Sequence, residues 1–270
     1  MSFLEQVTPV LITWNEAVNV ERTLAPLSWA SDIVVVDSGS TDGTLELLGE
    51  NSRVRVFQHA YESPGGQWRF ALEETGIETP WVLHLDADHI VTTELIAEID
   101  ALNPGDEVAG FEVRFTYCVH GTRLRGSLYP PKVVLFRRDR GRFVDDGHTH
   151  RLQLSGLSAA LSGSILHDDR KDVSRWFESQ LRYSLMESRK LESTANSELS
   201  FADRIRKLCC IAPFAVFGYC LLMKGGILDG RAGISYALQR MVAESLLALR
   251  LMEGRFAGVR TDDDRRSDRG

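Results

Sequence analysis

The chain has 270 residues, 43% of them hydrophobic and 26% charged, with a formal net charge of −7. That balance suits one sizeable α/β core with an appendage and excludes a disordered or repeat architecture. It also excludes nucleic acid as an expected partner, because affinity for phosphate backbones rests on clustered Lys and Arg.

Met1 to Gln6 lack a basic stretch followed by an apolar run, so no cleaved secretory signal is predicted and the cytoplasm is the expected compartment. Thr8 to Thr13 is a short β-branched apolar run closed by Trp14-Asn15-Glu16, and a helical pattern follows through Val20, Leu24 and Leu27. Asp32 to Val36 reads as a second strand, ended by Asp37-Ser38-Gly39-Ser40-Thr41-Asp42-Gly43, with Leu45, Leu47 and Leu48 opening another helix. Val54 to Phe57 is a third strand and Gln67 to Glu74 a helix. Trp81 to Leu85 is a fourth strand that runs into Asp86-Ala87-Asp88. Short apolar strands alternating with amphipathic helices predict a mostly parallel, Rossmann-like sheet covered on both faces. Ligands bind such sheets beyond the carboxyl ends of the strands, where Asp37 and Asp86 stand.

From Gly110 to Leu166 the pattern turns to strands and loops: Phe111 to Tyr117, Val133 to Arg137, Arg151 to Leu154, and a last run ending in His167-Asp168-Asp169. This half is expected to complete the sheet and form the acceptor side. Val173 to Leu191 reads as a helix. Leu208 to Met223 is uncharged and mostly apolar between Arg204, Arg206 and Lys207 on one side and Lys224 on the other. The segment is short for a span, since about 30 Å of hydrocarbon takes roughly 20 helical residues. An amphipathic or re-entrant segment resting on the inner leaflet of the cytoplasmic membrane accounts for both length and flanking charge, with a packed helical hairpin or oligomer interface, and a true span, as the alternatives. Arg255 to Gly270, charged and poor in apolar residues, is expected to be a disordered tail. Cys118, Cys209, Cys210 and Cys220 follow no zinc or disulfide pattern and are expected to be reduced and mostly buried.

Two carboxylates at i and i+2 after a buried strand suit a hard divalent cation whose other positions go to water and substrate phosphates. A cation held by Asp86 and Asp88 would neutralise a departing diphosphate. Asp37 stands where a strand-end carboxylate accepts hydrogen bonds from a ribose hydroxyl or a base N–H, while Ser40, Thr41 or Asp42 caps the next helix. His84, His89, His148, His150 and His167 lack zinc spacing, so no zinc centre is predicted, although His89 is expected to assist the metal loop.

Three segments in order carry a resemblance: Thr8-Pro9-Val10-Leu11-Ile12-Thr13-Trp14-Asn15-Glu16, Val34-Val35-Val36-Asp37-Ser38-Gly39-Ser40-Thr41-Asp42-Gly43-Thr44, and Val82-Leu83-His84-Leu85-Asp86-Ala87-Asp88. Together they resemble the family 2 inverting glycosyltransferases of GT-A fold. Trp29-Ala30-Ser31-Asp32, Gln67-Trp68-Arg69-Phe70-Ala71-Leu72, Leu135-Phe136-Arg137-Arg138 and Lys224-Gly225-Gly226-Ile227-Leu228-Asp229-Gly230 are similar to the bacterial lipopolysaccharide-core glucosyltransferase branch. The resemblance implies a GT-A domain over residues 1–200, a hydrophobic helical appendage over 201–254 and a tail over 255–270. It implies hexose transfer from a nucleotide-sugar donor, UDP-linked, to a hydroxyl of a cell-envelope glycan or glycolipid acceptor, with Mg²⁺ or Mn²⁺. Asn15 and Glu16 would lie by the nucleotide, Asp37 would bind base or ribose, and Gln67 and Arg69 would line the donor pocket. Asp88 would be the main metal carboxylate, with Asp86 between ribose and metal.

An inverting transfer needs a base to take the acceptor proton. The related branch carries His-Glu in its third motif, whereas this chain reads Phe143-Val144-Asp145-Asp146-Gly147-His148-Thr149-His150. Asp146 is the first expected base, then Asp145, with His148 or His150 orienting the acceptor or acting in their place. That departure keeps a catalytically silent, membrane-associated sugar-nucleotide-binding protein as an alternative, and an Asp-dependent phosphotransferase as another. Oligomeric state is not set by these motifs.

Overall fold

Alternation along β-branched runs sorts the first strands' side chains into two layers. The computed structural model describes residues 2–146 and 149–267. In β1 (Val7–Thr13), β2 (Ile33–Asp37) and β4 (Trp81–Asp86), Leu11, Ile33, Val35, Leu83 and Leu85 enter one buried cluster, and Val10, Val34, Val36 and Val82 enter the other. The first cluster is closed by α1 (Val20–Leu24), α2 (Thr44–Gly49) and α4 (Thr93–Asp100), which contribute Leu24, Leu48, Leu95 and Ile99. The second is closed by Trp68 and Ala71 of α3 (Pro64–Glu74). Helices therefore cover both faces, as the alternating pattern predicts.

β3 (Val54–Gln58), β2, β1 and β4 are parallel neighbours in that order. The sheet continues through β8 (Lys132–Arg137), β6 (Val108–Val119), β11 (Leu157–His167) and β5 (His89–Val91), with the two-residue β7 (Thr122–Arg123) on β6. β4 pairs antiparallel with β8, β6 parallel with β11, and β11 antiparallel with β5. β9 (Gly141–Asp146) and β10 (Thr149–Leu154) form a separate antiparallel pair. The result is an α/β fold of GT-A type.

The chain divides into two units, Met1–Lys171 and Asp172–Gly270, so the boundary falls ahead of the long helix rather than near residue 200. Asp172 caps that helix, α5 (Val173–Ser193), by accepting from the Arg175 N–H at 2.9 Å. α6 (Phe201–Arg206), α7 (Ala212–Gly218), a π-helical segment (Tyr219–Met223), a 3-10 turn (Gly226–Asp229) and α8 (Gly230–Ser267) follow. Leu191, Leu199, Cys209, Leu247, Ala248 and Leu251 form this unit's core. Arg206 reaches Glu244 at 3.0 Å, Asp203 at 3.4 Å and Glu187 at 3.6 Å, so its charge is compensated where burial would otherwise penalise it. α8 stays helical through Ser267, across residues whose composition predicts no structure. All four cysteines are free thiols, and only Cys210 is exposed.

Candidate active site

Thr13 and Asp37 end adjacent parallel strands in register, which brings their two following loops side by side. Asn15 takes a left-handed backbone, φ 55°, a conformation its short amide tolerates. Its N–H donates to Ser40 Oγ at 2.7 Å, and its Oδ1 accepts from the Thr41 N–H at 2.8 Å. The Glu16 N–H donates to Thr44 Oγ1 at 2.8 Å and the Ala17 N–H to Asp42 Oδ2 at 3.2 Å. Asp37 is fully buried and accepts from Thr13 Oγ1 at 2.8 Å, Ser40 Oγ at 2.5 Å, and the Gly39 and Ser40 N–H groups at 2.9 and 2.8 Å. Four donors use the acceptor positions of a carboxylate. Asp37 and Asn15 therefore build the loops here, the usual behaviour of short polar side chains beside their own backbone.

Side chains at 82, 84 and 86 of β4 share one face, so Asp86 leaves the sheet at its carboxyl end directly above His84. Asp88 follows in the turn to β5. Antiparallel pairing sets His89 opposite His167, and the Asp168 N–H donates to the Asp88 carbonyl at 3.0 Å. That register carries His167 Nε2 to 3.0 Å from Asp88 Oδ2. His89 Nε2 lies 3.6 Å from Asp86 Oδ2 and 3.9 Å from Asp88 Oδ1, while its Nδ1 accepts from the Asp86 N–H at 3.0 Å. Burial opposes ionisation of both carboxyls, but His89 beside Asp86 and His167 beside Asp88 hold them below the usual range. Burial brings His89 down to about 4, so it is neutral near pH 7. His167 moves the other way: burial works against its charge, and the Asp88 carboxylate outweighs it and raises the pKa. Tyr117 and Tyr129 pack on the His167 ring, each with centroids 4.7 Å apart, and Lys132 Nζ donates to the Tyr129 hydroxyl at 3.0 Å.

A second polar network adjoins this one. Asn19, fully buried, donates to Glu16 Oε2 at 2.8 Å and Asp169 Oδ1 at 3.0 Å, and accepts from Arg22 at 2.5 Å and the Arg170 N–H at 3.0 Å. Asp168 binds Arg22 at 2.9 Å, Arg170 at 2.8 Å and the Gly121 N–H at 3.0 Å, so its carboxylate is committed to ion pairs. Lys171 pairs with Glu16. Burial lifts Glu16 to about 7, Lys171 pulls against it, and the Asp88 charge adds to the rise.

The remaining predicted residues sit at the start of α3 and on the β9–β10 pair. Gln67 is buried, its amide donating to the His59 carbonyl at 3.1 Å and its Oε1 facing His59 Nδ1 at 3.1 Å. Asp145 Oδ1 accepts from the Gly65 N–H at 2.8 Å and Oδ2 from Ser63 Oγ at 3.0 Å, so it caps α3 together with Ser63. Arg69 lies 3.9 Å from Asp145 and 3.4 Å from the Phe143 carbonyl. Asp146 closes β9 opposite Thr149, and His148 lies outside the described residues. His150 packs with Trp68, Phe143 and His84 at ring separations of 5.6, 5.2 and 5.9 Å, and burial lowers it to about 4.

The model of the family described as "Glycosyl transferase family 2" matches residues 9–153, a stretch that contains the zipped loops, the Asp86–Asp88 turn and the β9–β10 pair. The chain belongs to glycosyl transferase family 2. Among curated relatives, the lipopolysaccharide core biosynthesis glycosyltransferase LpsC of Rhizobium meliloti (strain 1021) is 30% identical over 174 residues, 58% of this chain and 61% of that protein. An uncharacterized glycosyltransferase of Rickettsia bellii (strain RML369-C) is 29% identical over 149 residues, 54% of this chain and 49% of that protein. The chain thus spans about half to three-fifths of the curated relatives it matches. Among solved structures, residues 1–349 of S. aureus TarS in complex with UDP-GlcNAc align with 93% of this chain and 92% of that one at 13% identity, with a TM-score of 0.48.

The residues around Asp88 form a candidate donor set for a divalent cation. Ligand atoms of Asp88, His89 and His167 all lie within 4.8 Å of one another. The 3.0 Å between Asp88 Oδ2 and His167 Nε2 is the spacing of two ligands at right angles, each about 2.1 Å from one ion. His89 accepts a hydrogen bond at Nδ1, so in its neutral form Nε2 carries the proton, and that nitrogen is buried 3.6 and 3.9 Å from the carboxylates without a hydrogen bond to either. Asp88 and His167 are therefore spaced to share a cation, with His89 beside them and Asp86 at the same strand end. His167, 3.0 Å from Asp88, is not among the metal-binding residues expected from the sequence. A charged run at the end of the last long strand, His167-Asp168-Asp169-Arg170-Lys171, was the available signal, since it obeys the same strand-end logic as Asp86.

Proposed function

We propose that this chain transfers a hexose from a nucleotide-diphosphate sugar, UDP-linked, to a hydroxyl of a cell-envelope glycan or glycolipid, with inversion at the anomeric carbon. The observation that carries the reading is the approach of His167 to Asp88 beside Asp86, the two carboxylates standing within the stretch that matches family 2. Mg²⁺ or Mn²⁺ held by Asp86, Asp88 and His167 would offset the charge that grows on the leaving diphosphate. The other steps belong to the chain's own groups. His89 Nδ1 holds the Asp86 backbone N–H and so positions the turn that carries both carboxylates. Glu16 and Lys171 face the same cluster, and a lysine there suits a diphosphate oxygen as a point charge. Asp146, at the end of β9, takes the acceptor proton, while Asp145 holds the start of α3. His150, neutral near pH 7, is the next candidate. The likeness to a lipopolysaccharide core biosynthesis glycosyltransferase supports a cell-envelope glycan as the acceptor class.

Isothermal titration of the full chain with UDP, GDP and their hexose conjugates, with Mn²⁺ present and then chelated, tests the donor site. Metal-dependent binding of one nucleotide is expected, lost in Asp88→Ala. Equal binding with and without metal, or wild-type transfer by Asp88→Ala, overturns the metal assignment.

A further inference from the structure

α7 and the π-helical segment after it are built inside out. At about 100° per residue, Ile211, Phe214, Tyr219 and Leu222 fall within one arc of roughly 140°. All four are exposed, Phe214 by 73% and Leu222 by 70%, whereas Pro213 and Cys220, on the opposite side of the wheel, are buried, as is Ala212. Met223, Ile227 and Leu228 extend the exposed apolar surface through the next turn, at 75%, 57% and 67%. That turn is rigidly made. Gly225 and Gly230 take left-handed backbones, φ 75° and 59°, and a Cβ on Gly233 of α8 would stand 1.9 Å from the Gly226 carbonyl oxygen. An apolar surface on a locked turn is not the random scatter of single exposed hydrophobics that any protein carries.

We propose that this face seats on an anionic lipid bilayer, with Phe214, Leu222, Met223 and Leu228 entering the headgroup boundary. The inference deepens the acceptor side of the proposed function, and it is read without turnover, so either can fail alone. Charge complementarity selects the occupant. Arg204, Lys207, Lys224 and Arg231 flank the apolar segment along a chain whose net charge is −7. The acids among them are fewer: Asp229, and an Asp203 held by Arg206. Basic side chains beside an apolar face are what an anionic leaflet attracts. Depth follows from the helices. No helix among the described residues is long and apolar enough to cross a bilayer, and the two limbs that pass such a test together, Ala212–Met223 and Gly226–Gly254, are bent by 69°. The second limb also carries Glu244 buried against Arg206. The segment therefore lies in the interface.

Cosedimentation of the full chain with vesicles tests this. Vesicles of equal parts phosphatidylcholine and phosphatidylglycerol should bind the protein, and pure phosphatidylcholine should bind it at least tenfold more weakly. The double variant Phe214→Glu, Leu222→Glu, both at solvent-facing positions, should lose binding about tenfold or more while keeping its circular dichroism spectrum and its affinity for UDP. Lys207→Glu with Lys224→Glu should abolish the preference for the anionic lipid. Wild-type protein that stays in the supernatant with anionic vesicles overturns the proposal. So does a stable dimer, seen by light scattering, that the Phe214 and Leu222 substitutions dissociate, since a second copy would then occupy the face.

Discussion

Replacing Asp145 with alanine separates a structural carboxylate from a catalytic one. The substitution removes the acceptor of the Gly65 N–H at 2.8 Å and of Ser63 Oγ at 3.0 Å, leaving the first turn of α3 one cap short. Loss of a helix-capping acceptor costs about 1 kcal/mol, and the second bond, to a hydroxyl that water reaches, adds a few tenths. The Arg69 contact at 3.9 Å joins two side chains each about two-fifths exposed, so it contributes little. The sum is a loss of about 1–2 kcal/mol, which for a unit of this size lowers the melting temperature by about 2–8 °C. Urea unfolding at fixed temperature reads the free energy, and a thermal melt reads the shift. Asp145→Asn, which keeps one acceptor oxygen, should recover part of it. Transfer per folded molecule should stay within a few-fold of wild type. Unchanged stability together with abolished transfer would falsify the capping role and return Asp145 to the chemistry.

Three further outcomes are expected. His167→Ala should weaken Mn²⁺ binding at least tenfold by titration calorimetry, because it removes the group 3.0 Å from Asp88 Oδ2; unchanged affinity would confine any cation to Asp86 and Asp88. Gly233→Ala should destabilise the helical unit by about 1–3 kcal/mol in urea, since its Cβ would meet the Gly226 carbonyl at 1.9 Å, and a neutral result would mean the turn is not locked. His150 is depressed from 6.5 to about 4 by burial, so the unfolded chain binds its proton first as pH falls. Stability contributed by the neutral ring is present above pH 6.5 and is lost as pH drops from 6.5 towards 4, with a limiting slope of about 1.4 kcal/mol per pH unit. His150→Leu should flatten that limb, and an unaltered pH profile would refute the assignment.

The sequence by itself determined the fold class, because a period of two along Val34-Val35-Val36 and Val82-Leu83-His84-Leu85 divides apolar side chains between two faces and so demands helices on both. It determined, too, that Asp86 and Asp88 stand at a strand's carboxyl end, since both lie within a few residues of the run that places them. What Asp37, Asn15, Gln67 and Asp145 face is set otherwise. A short polar side chain takes the nearest unsatisfied donor, and the donors at Ser40, Thr41, His59 and Gly65 are known only once loops and helices have docked. The pairing of His167 with Asp88 lies furthest from the sequence's reach. Its two groups are 79 positions apart and meet through the antiparallel register of β5 on β11. Register is a collective result of hydrogen bonding and core packing along whole strands, and one residue of slip would turn His167 to the opposite face.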